Sequence, residues 1–451
     1  MASRRVLVRH PLAIAGVIVT TASAVVFVTL VIAELLGMLT NPYAGLVVFV
    51  AIPAVFVMGL LLIPAGMWLQ SKKLALHPEA TAEWPVIDLR QRHVRRTALV
   101  VTILTAINVV IILLAGYGSL HAMETPGFCG QVCHSTMEPQ FKAWQGGVHA
   151  GVACVSCHIG EGTRGFVHAK LGGVRQLMLV ATGAVPTPVP PGADMLPGSQ
   201  TQLCAGCHKP GRIVTDRIRV IREYADDEAN SETMSAVQMH VSHTSSSERA
   251  IHWHADPSIR IEYVSTDEKQ ETIPYVRVTD ASGQVREYVA PDTPAEVVNG
   301  TRQRMECMDC HNTVGHPISP TAEQAVDRVI AEGKVSRELP FVRREGIRLL
   351  KEEHSSQEAA AQAIDQGLRN FYQSRSGTSS QSLAEAVAAF QELYRRSVFP
   401  TMKVTWGTYP DNTGHLNSPG CFRCHDDSHA TKDGTSISGD CEFCHKQIER
   451  P

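Results

Sequence analysis

Three long apolar stretches dominate the first quarter of the chain. Pro11 to Leu39 is broken only by Thr and Ser and by Glu34, and Tyr43 to Leu69 and Thr97 to Leu120 have the same character. Each is long enough to cross a hydrocarbon core about 30 Å thick as a helix, so the pattern predicts a three-helix transmembrane anchor within residues 1–120. A cleaved signal peptide is the rival for the first stretch. Its apolar run is far longer than an h-region, however, and no convincing small-residue cleavage site follows.

Beyond the anchor the periodicity changes. Ile259 to Tyr263 and Thr272 to Val278 alternate or mass β-branched and aromatic residues, and Asp280-Ala-Ser-Gly283 is a turn signal before Gln284 to Val289. This predicts a small antiparallel β insertion. Thr321 to Glu332, Phe341 to Glu353, Gln357 to Tyr372 and Leu383 to Arg396 carry helical spacing, as in Ala325, Val326, Val329 and Ile330. Val185-Pro-Thr-Pro-Val-Pro-Pro-Gly192 is a rigid extended connector, because prolines at this density exclude helix and strand interior. Residues 121–210 show little periodicity. The expected organisation is an anchor (1–120), a first exported region (121–210), a β insertion (211–320), a helical spacer (321–400) and a C-terminal region (401–451).

Charge sets the topology. Arg4, Arg5 and Arg9 precede the first helix, and Lys72, Lys73, Arg90, Arg92, Arg95 and Arg96 lie between the second and third, whereas Thr40-Asn41-Pro42 is uncharged. The bias of basic residues places the N-terminus and the second loop in the cytoplasm and everything after His121 across the inner membrane, in the periplasm. The formal net charge of -3 averages three compartments and says little about partners. No nucleic-acid partner is expected, and oligomeric state is left open.

The chemistry lies in the cysteines. All 12 fall into six pairs, each followed at once by histidine: Cys129, Cys133 and His134; Cys154, Cys157 and His158; Cys204, Cys207 and His208; Cys307, Cys310 and His311; Cys421, Cys424 and His425; Cys441, Cys444 and His445. Five have the two-residue gap with which two thiols add to the vinyl groups of one haem while the histidine reaches its iron. The first gap is three residues, which thioether formation still tolerates. A zinc ribbon or a disulfide scaffold would not explain a histidine after every pair. The expectation is six covalent c-type haems on a mostly α and irregular framework, grouped as three (129–208), one (307–311) and two (421–445).

Iron has a second axial position to fill. Of 20 histidines, six belong to the motifs and three, His10, His77 and His93, lie on or near the cytoplasmic side. The remaining eleven make bis-histidine ligation the default, and low potentials its consequence. Distal candidates are His149, His168, His240, His243, His252, His254, His316, His415 and His429. Met239-His240-Val-Ser-His243 would put its two imidazoles on one face if helical, and His252-Trp-His254 would put both on one side of a strand. One ligand is expected from each of these pairs.

Pro126-Gly-Phe-Cys129-Gly-Gln-Val-Cys133-His134-Ser-Thr-Met137-Glu-Pro139, followed by His149-Ala-Gly-Val-Ala-Cys154-Val-Ser-Cys157-His158, stands directly after the third apolar stretch. It resembles the NapC/NirT/NrfH family of membrane-anchored quinol dehydrogenases over about Ala115 to His208. Beyond it the chain is similar to the larger inner-membrane multihaem cytochromes of metal-reducing and related bacteria. The resemblance implies a first haem at the membrane surface with Met137 as a ligand and quinol at its distal side, although packing of Met137, with His134 as the ligand, stays open. It also implies a lysine and an acid near that site, matched approximately by Lys170 and Gln176. Here the cysteine gap is one longer, Met137 follows His134 by three, and the anchor has three helices. With glutamine where acid is expected, Glu34 and His121 become candidates for accepting quinol protons beside Lys170. The implied function is oxidation of (mena)quinol from the membrane pool and electron transfer through the haems to periplasmic cytochromes or a terminal reductase in a respiratory chain. An electron-wire subunit without its own quinol site, or a terminal oxyanion reductase, are the alternatives.

Overall fold

The computed structural model describes residues 10–35, 47–75, 90–132, 136–159, 162–191, 196, 198–209, 215–241, 250–375 and 379–448. The chain forms two compact units, Met1–Ser135 and Thr136–Pro451.

The first unit is built on three helices, α1 (Pro11–Leu35), α2 (Ile52–Ala75) and α3 (Arg92–Met123). All three are long and apolar enough to span a membrane. Their large side chains point outward, among them Leu61, Leu113 and Leu114, as expected where lipid is the solvent. Helix α3 starts earlier than its apolar stretch and takes Arg92, Arg95 and Arg96 into its first turns. Between α1 and α2 the contact is made by small residues. A Cβ on Gly16 would lie 2.9 Å from the Gly59 carbonyl, and one on Gly59 would lie 2.5 Å from the Thr20 hydroxyl. With no hydrophobic force between helices in lipid, such close backbone approach is what holds them.

The second unit begins with four helices around the first motifs: α4 (Glu138–Gln145), α5 (Cys154–His158), α6 (Gly162–Ala181) and α7 (Gln200–Ala205). The irregular Pro-rich connector separates α6 from α7. Two antiparallel sheets follow. One orders its strands β1 (Arg217–Tyr224), β2 (Glu232–Met239) and β7 (His445–Ile448); the other orders them β5 (Val285–Val289), β4 (Tyr275–Thr279), β3 (Arg260–Val264) and β6 (Gln303–Arg304). The second is the expected insertion, with Ile261 opposite Val278 and Val276 opposite Tyr288. Its buried side chains, Ile261, Tyr263, Val276, Val278 and Tyr288, pack against Trp253 and Cys424, so the sheet directly backs the fifth cysteine motif and the turn that carries His252 and His254. The first sheet was not expected, since β1 alternates charged and apolar residues with little else to mark it.

Helices α8 (Ala295–Val298) and α9 (Cys307–Cys310) lead to four amphipathic ones, α10 (Ala322–Ala331), α11 (Val342–Leu350), α12 (Gln357–Gln373) and α13 (Ser380–Ser397). Thr321, Ser356 and Ser379 cap α10, α12 and α13 by accepting a backbone N–H. Val326, Leu350, Ile364, Leu368 and Phe390 form their common core. Gly346 and Gly367 let the helices close, because a Cβ at either would meet Phe390 or Leu349 at 2.5 Å. This is the only extensive conventional core outside the membrane unit among the described residues. Around the cysteine motifs few large apolar side chains are buried.

Candidate functional site

The motif cysteines start short helical turns. Cys154 and Cys307 open α5 and α9, Cys204 lies in the last turn of α7, and Cys421 and Cys441 sit in single 3₁₀ turns, Gly420–Arg423 and Cys441–Phe443. One such turn brings both thiols of a CxxC to the same side and presents the next histidine. At α9 the Glu306 and Asp309 side chains close a reciprocal capping box. Glu306 also accepts from Ser199 and from the Gln200 N–H (2.7 and 2.6 Å), which ties the start of α7 to α9.

Opposite five of the motif histidines stands a second imidazole. Ring centres are 6.1 Å apart for His158 and His316, 6.0 Å for His208 and His149, 6.4 Å for His311 and His252, 5.9 Å for His425 and His254, and 6.1 Å for His445 and His415. Two imidazoles sharing one iron, each with a nitrogen about 2 Å from the metal, place their ring centres roughly 6 Å apart. The residues present therefore fit haem. Four of these second histidines have Nδ1 within reach of a backbone carbonyl: His316 with Gln140 (2.9 Å), His149 with Val314 (3.2 Å), His252 with Val241 (2.9 Å) and His254 with Ile251 (2.7 Å). A proton held at Nδ1 leaves Nε2 as the electron-pair donor. Burial, first among the causes, lowers the pKa of His158, His254, His311, His316 and His445, which keeps the imidazoles in the neutral, ligating form.

The centres adjoin one another through their cysteines. Cys157 lies close enough to Cys207 to interact with it, Cys204 hydrogen-bonds Cys307, Cys310 faces Cys421 and Cys424, and Cys421 hydrogen-bonds Cys444. Motifs two to six thus follow one another in space in their sequence order.

The N-terminal-region model of the NapC/NirT cytochrome c family matches residues 91–189. The cytochrome c-type protein ImcH of Geobacter sulfurreducens is 33% identical over 450 residues, covering 97% of this chain and 88% of that protein. The chain belongs to the NapC/NirT family. It is a membrane-anchored multihaem c-type cytochrome, an inner-membrane protein of electron transport with haem as its cofactor. No solved structure matches it.

Several residues singled out in the sequence of this NapC/NirT cytochrome are placed otherwise than expected. His252 and His254 lie in a 3₁₀ turn, Ile251–Ala255, and not in a strand. At three residues per turn, positions two apart point well away from each other, and the two imidazoles face different motifs, so each stands opposite a motif histidine where one ligand had been expected from the pair. His240 directly follows β2, pairs its Nδ1 with Asp216 at 2.9 Å and lies close enough to the motif residue His445 to interact with it. His429 is 3% exposed. Both its nitrogens are engaged, Nδ1 with Asp426 (2.8 Å) and Nε2 with the Ile273 carbonyl (2.7 Å), so this distal candidate faces hydrogen-bonding partners and not a motif histidine.

Around the first motif, Cys129 follows α3 in a short helical turn, Phe128–Val132. Cys133, His134 and His243 lie outside the described residues, as do the side chains of Glu34, His168 and Lys170. Met137 is half-buried at the N-terminus of α4. His121 is exposed in the last turn of α3 and stacks on Tyr117 (6.3 Å between ring centres), and Gln176 is exposed on α6.

Proposed function

We propose that this cytochrome carries six covalent haems, oxidises quinol at the periplasmic face of the inner membrane, and hands the electrons on to periplasmic acceptors. The reading rests above all on the five opposed imidazole pairs. Haem supplies one-electron redox chemistry, and an iron with two histidine ligands and no open position suits transfer and not binding of a small oxyanion. The terminal-reductase alternative therefore has the least support. Adjacent cysteines from the second motif to the sixth favour a single line of transfer ending at Cys441–His445, where Cys441 is exposed. For the first centre, His134 and Met137 remain the ligand candidates.

Quinol oxidation releases two electrons and two protons, so a competent site needs a haem near the membrane, an acceptor taking one electron at a time, and bases for the protons. Cys129 follows the end of α3 directly, which meets the positional requirement. Lys170, His121 and Glu34 are the candidates for the proton side, with Gln176 as a neutral hydrogen-bonding group. A glutamate in an apolar helix is costly unless it meets a cavity or partner.

The deciding experiment combines intact mass with quinol reduction. Detergent-purified protein should carry six haem adducts and be reduced by a menaquinol analogue. Glu34→Gln should slow that reduction severalfold while leaving adduct number and dithionite reduction intact. Full dithionite reduction without any quinol reduction would favour the electron-wire reading, and free Cys129 and Cys133 would remove the first haem.

Orientation has its own check. A reporter fused after Lys73 should be cytoplasmic and one after Pro451 periplasmic. Both on one side would remove a membrane crossing from this arrangement.

A further inference from the structure

Arg423 stands inside the fifth motif, between Cys421 and Cys424, and is 7% exposed. Its guanidinium donates three hydrogen bonds, all to backbone carbonyls: Nε to Gly420 (2.8 Å), Nη1 to Gln270 (3.0 Å) and Nη2 to Asp309 (2.7 Å). Asp309 offers Arg423 its backbone oxygen, and its carboxylate is also close enough to interact with the guanidinium. The hydrogen bonds of that carboxylate go elsewhere, accepting from the Tyr263 hydroxyl (2.5 Å) and the Glu306 N–H (2.6 Å). Asp309 belongs to the fourth motif, between Cys307 and Cys310. The bond to the Asp309 carbonyl sets the guanidinium beside Cys310, and its place in the chain sets it beside Cys421 and Cys424.

Burying a cation is costly, and three charge-assisted bonds to carbonyls offset only part of that cost. Arginine cannot shed its proton to escape it. The thioether edge of a haem is opposite its propionate edge, so a cation held among Cys310, Cys421 and Cys424 is not placed to clamp propionates. What it meets is the place where the fourth and fifth haem-attachment motifs adjoin.

Taking the proposed haem attachment as given, we infer that Arg423 is a positioning residue of a second kind: a fixed internal positive charge that favours the reduced state of the fourth and fifth haems. An electron arriving at either iron lowers the local charge by one, and a permanent cation nearby makes that change more favourable. Because the site is buried, salt screens the effect little. The middle of the line is thereby made the readier acceptor, and electrons entering from the membrane side are drawn past the second and third centres.

The test is a mediator-coupled spectroscopic redox titration of the full-length protein in detergent, which needs no quinol and so stands or falls separately from quinol oxidation. Arg423→Gln should shift part of the titration curve downward by about tenfold in the oxidised-to-reduced ratio at fixed potential, ~59 mV for one electron. Arg423→Lys, which keeps the charge, should restore most of it. Adduct number and the low-spin spectrum should stay as in the parent, and the shift should persist at high salt. An unchanged curve in a fully haem-loaded Arg423→Gln protein overturns the inference, as does an equal shift in the lysine variant. Loss of the fifth haem from both variants also overturns it, by assigning the guanidinium to holding the loop.

Discussion

Replacing His252 and His254 together by alanine should turn two low-spin haems high-spin in a single variant, and each single replacement should turn one. The two imidazoles leave the same 3₁₀ turn toward His311 and His425, with ring centres 6.4 and 5.9 Å away. Alanine removes the second strong-field ligand from each iron and leaves the thioether links untouched, so adduct number should not fall. Trp253 between them packs against the core of the β insertion and should hold the turn in place. The check is the high-spin charge-transfer absorption near the red end of the visible spectrum, together with mass. The double variant should also slow electron delivery to an acceptor downstream, since two adjacent centres lose their matched potentials. A spectrum that stays fully low-spin would falsify the pairing.

The second large effect is expected at Gly420. Its φ of 49° lies in the left-handed region, which costs a non-glycine residue roughly 1–3 kcal/mol. A Cβ there would also collide with the backbone carbonyl of Gly414, which directly precedes His415. Neither atom is the end of a flexible side chain, so one of the two loops has to move. Gly420→Ala should therefore lower stability by about 3 kcal/mol or more and disturb two centres at once, the fifth through Cys421 and the sixth through His415. Thermal unfolding, haem content and the high-spin fraction report the outcome. Gly434, also at positive φ but with open space around its missing Cβ, is the control. Alanine there should cost only the backbone term.

The sequence was most legible where ordinary burial rules apply. The apolar stretches became α1 to α3, and α10 to α13 sit within a few residues of their periodic runs, with Ser or Thr caps marking the starts of α10, α12 and α13. The strands of the insertion are likewise close to their alternating runs. The cysteine motifs were plain, but the partners of their histidines were not. His316 reaches His158 and His254 reaches His425 across long intervals of chain, and such pairing leaves no local pattern. The same holds for β1 to β2 to β7, where the last strand begins at a motif histidine and joins strands from the middle of the chain. His429 shows the converse: four residues past a CxxCH it has the position of a ligand, yet a buried carbonyl and a carboxylate engage both nitrogens.

On the proposed haem ligation and periplasmic orientation, the pairing also implies an order of maturation. The part beyond α3 would be exported in chain order, so His254 emerges long before Cys421, Cys424 and His425. Until the last segment follows, the turn that holds His252 and His254 has only one of its two opposite imidazoles, and the sheet behind it lacks Cys424 against its core. Haem attachment at the early motifs can proceed, but the middle of the molecule closes only when its C-terminal end arrives. An export-stalled or C-terminally nicked chain is then a loaded yet open intermediate, with imidazole and apolar sheet surface exposed together, and quality control in the periplasm has a definite species to recognise.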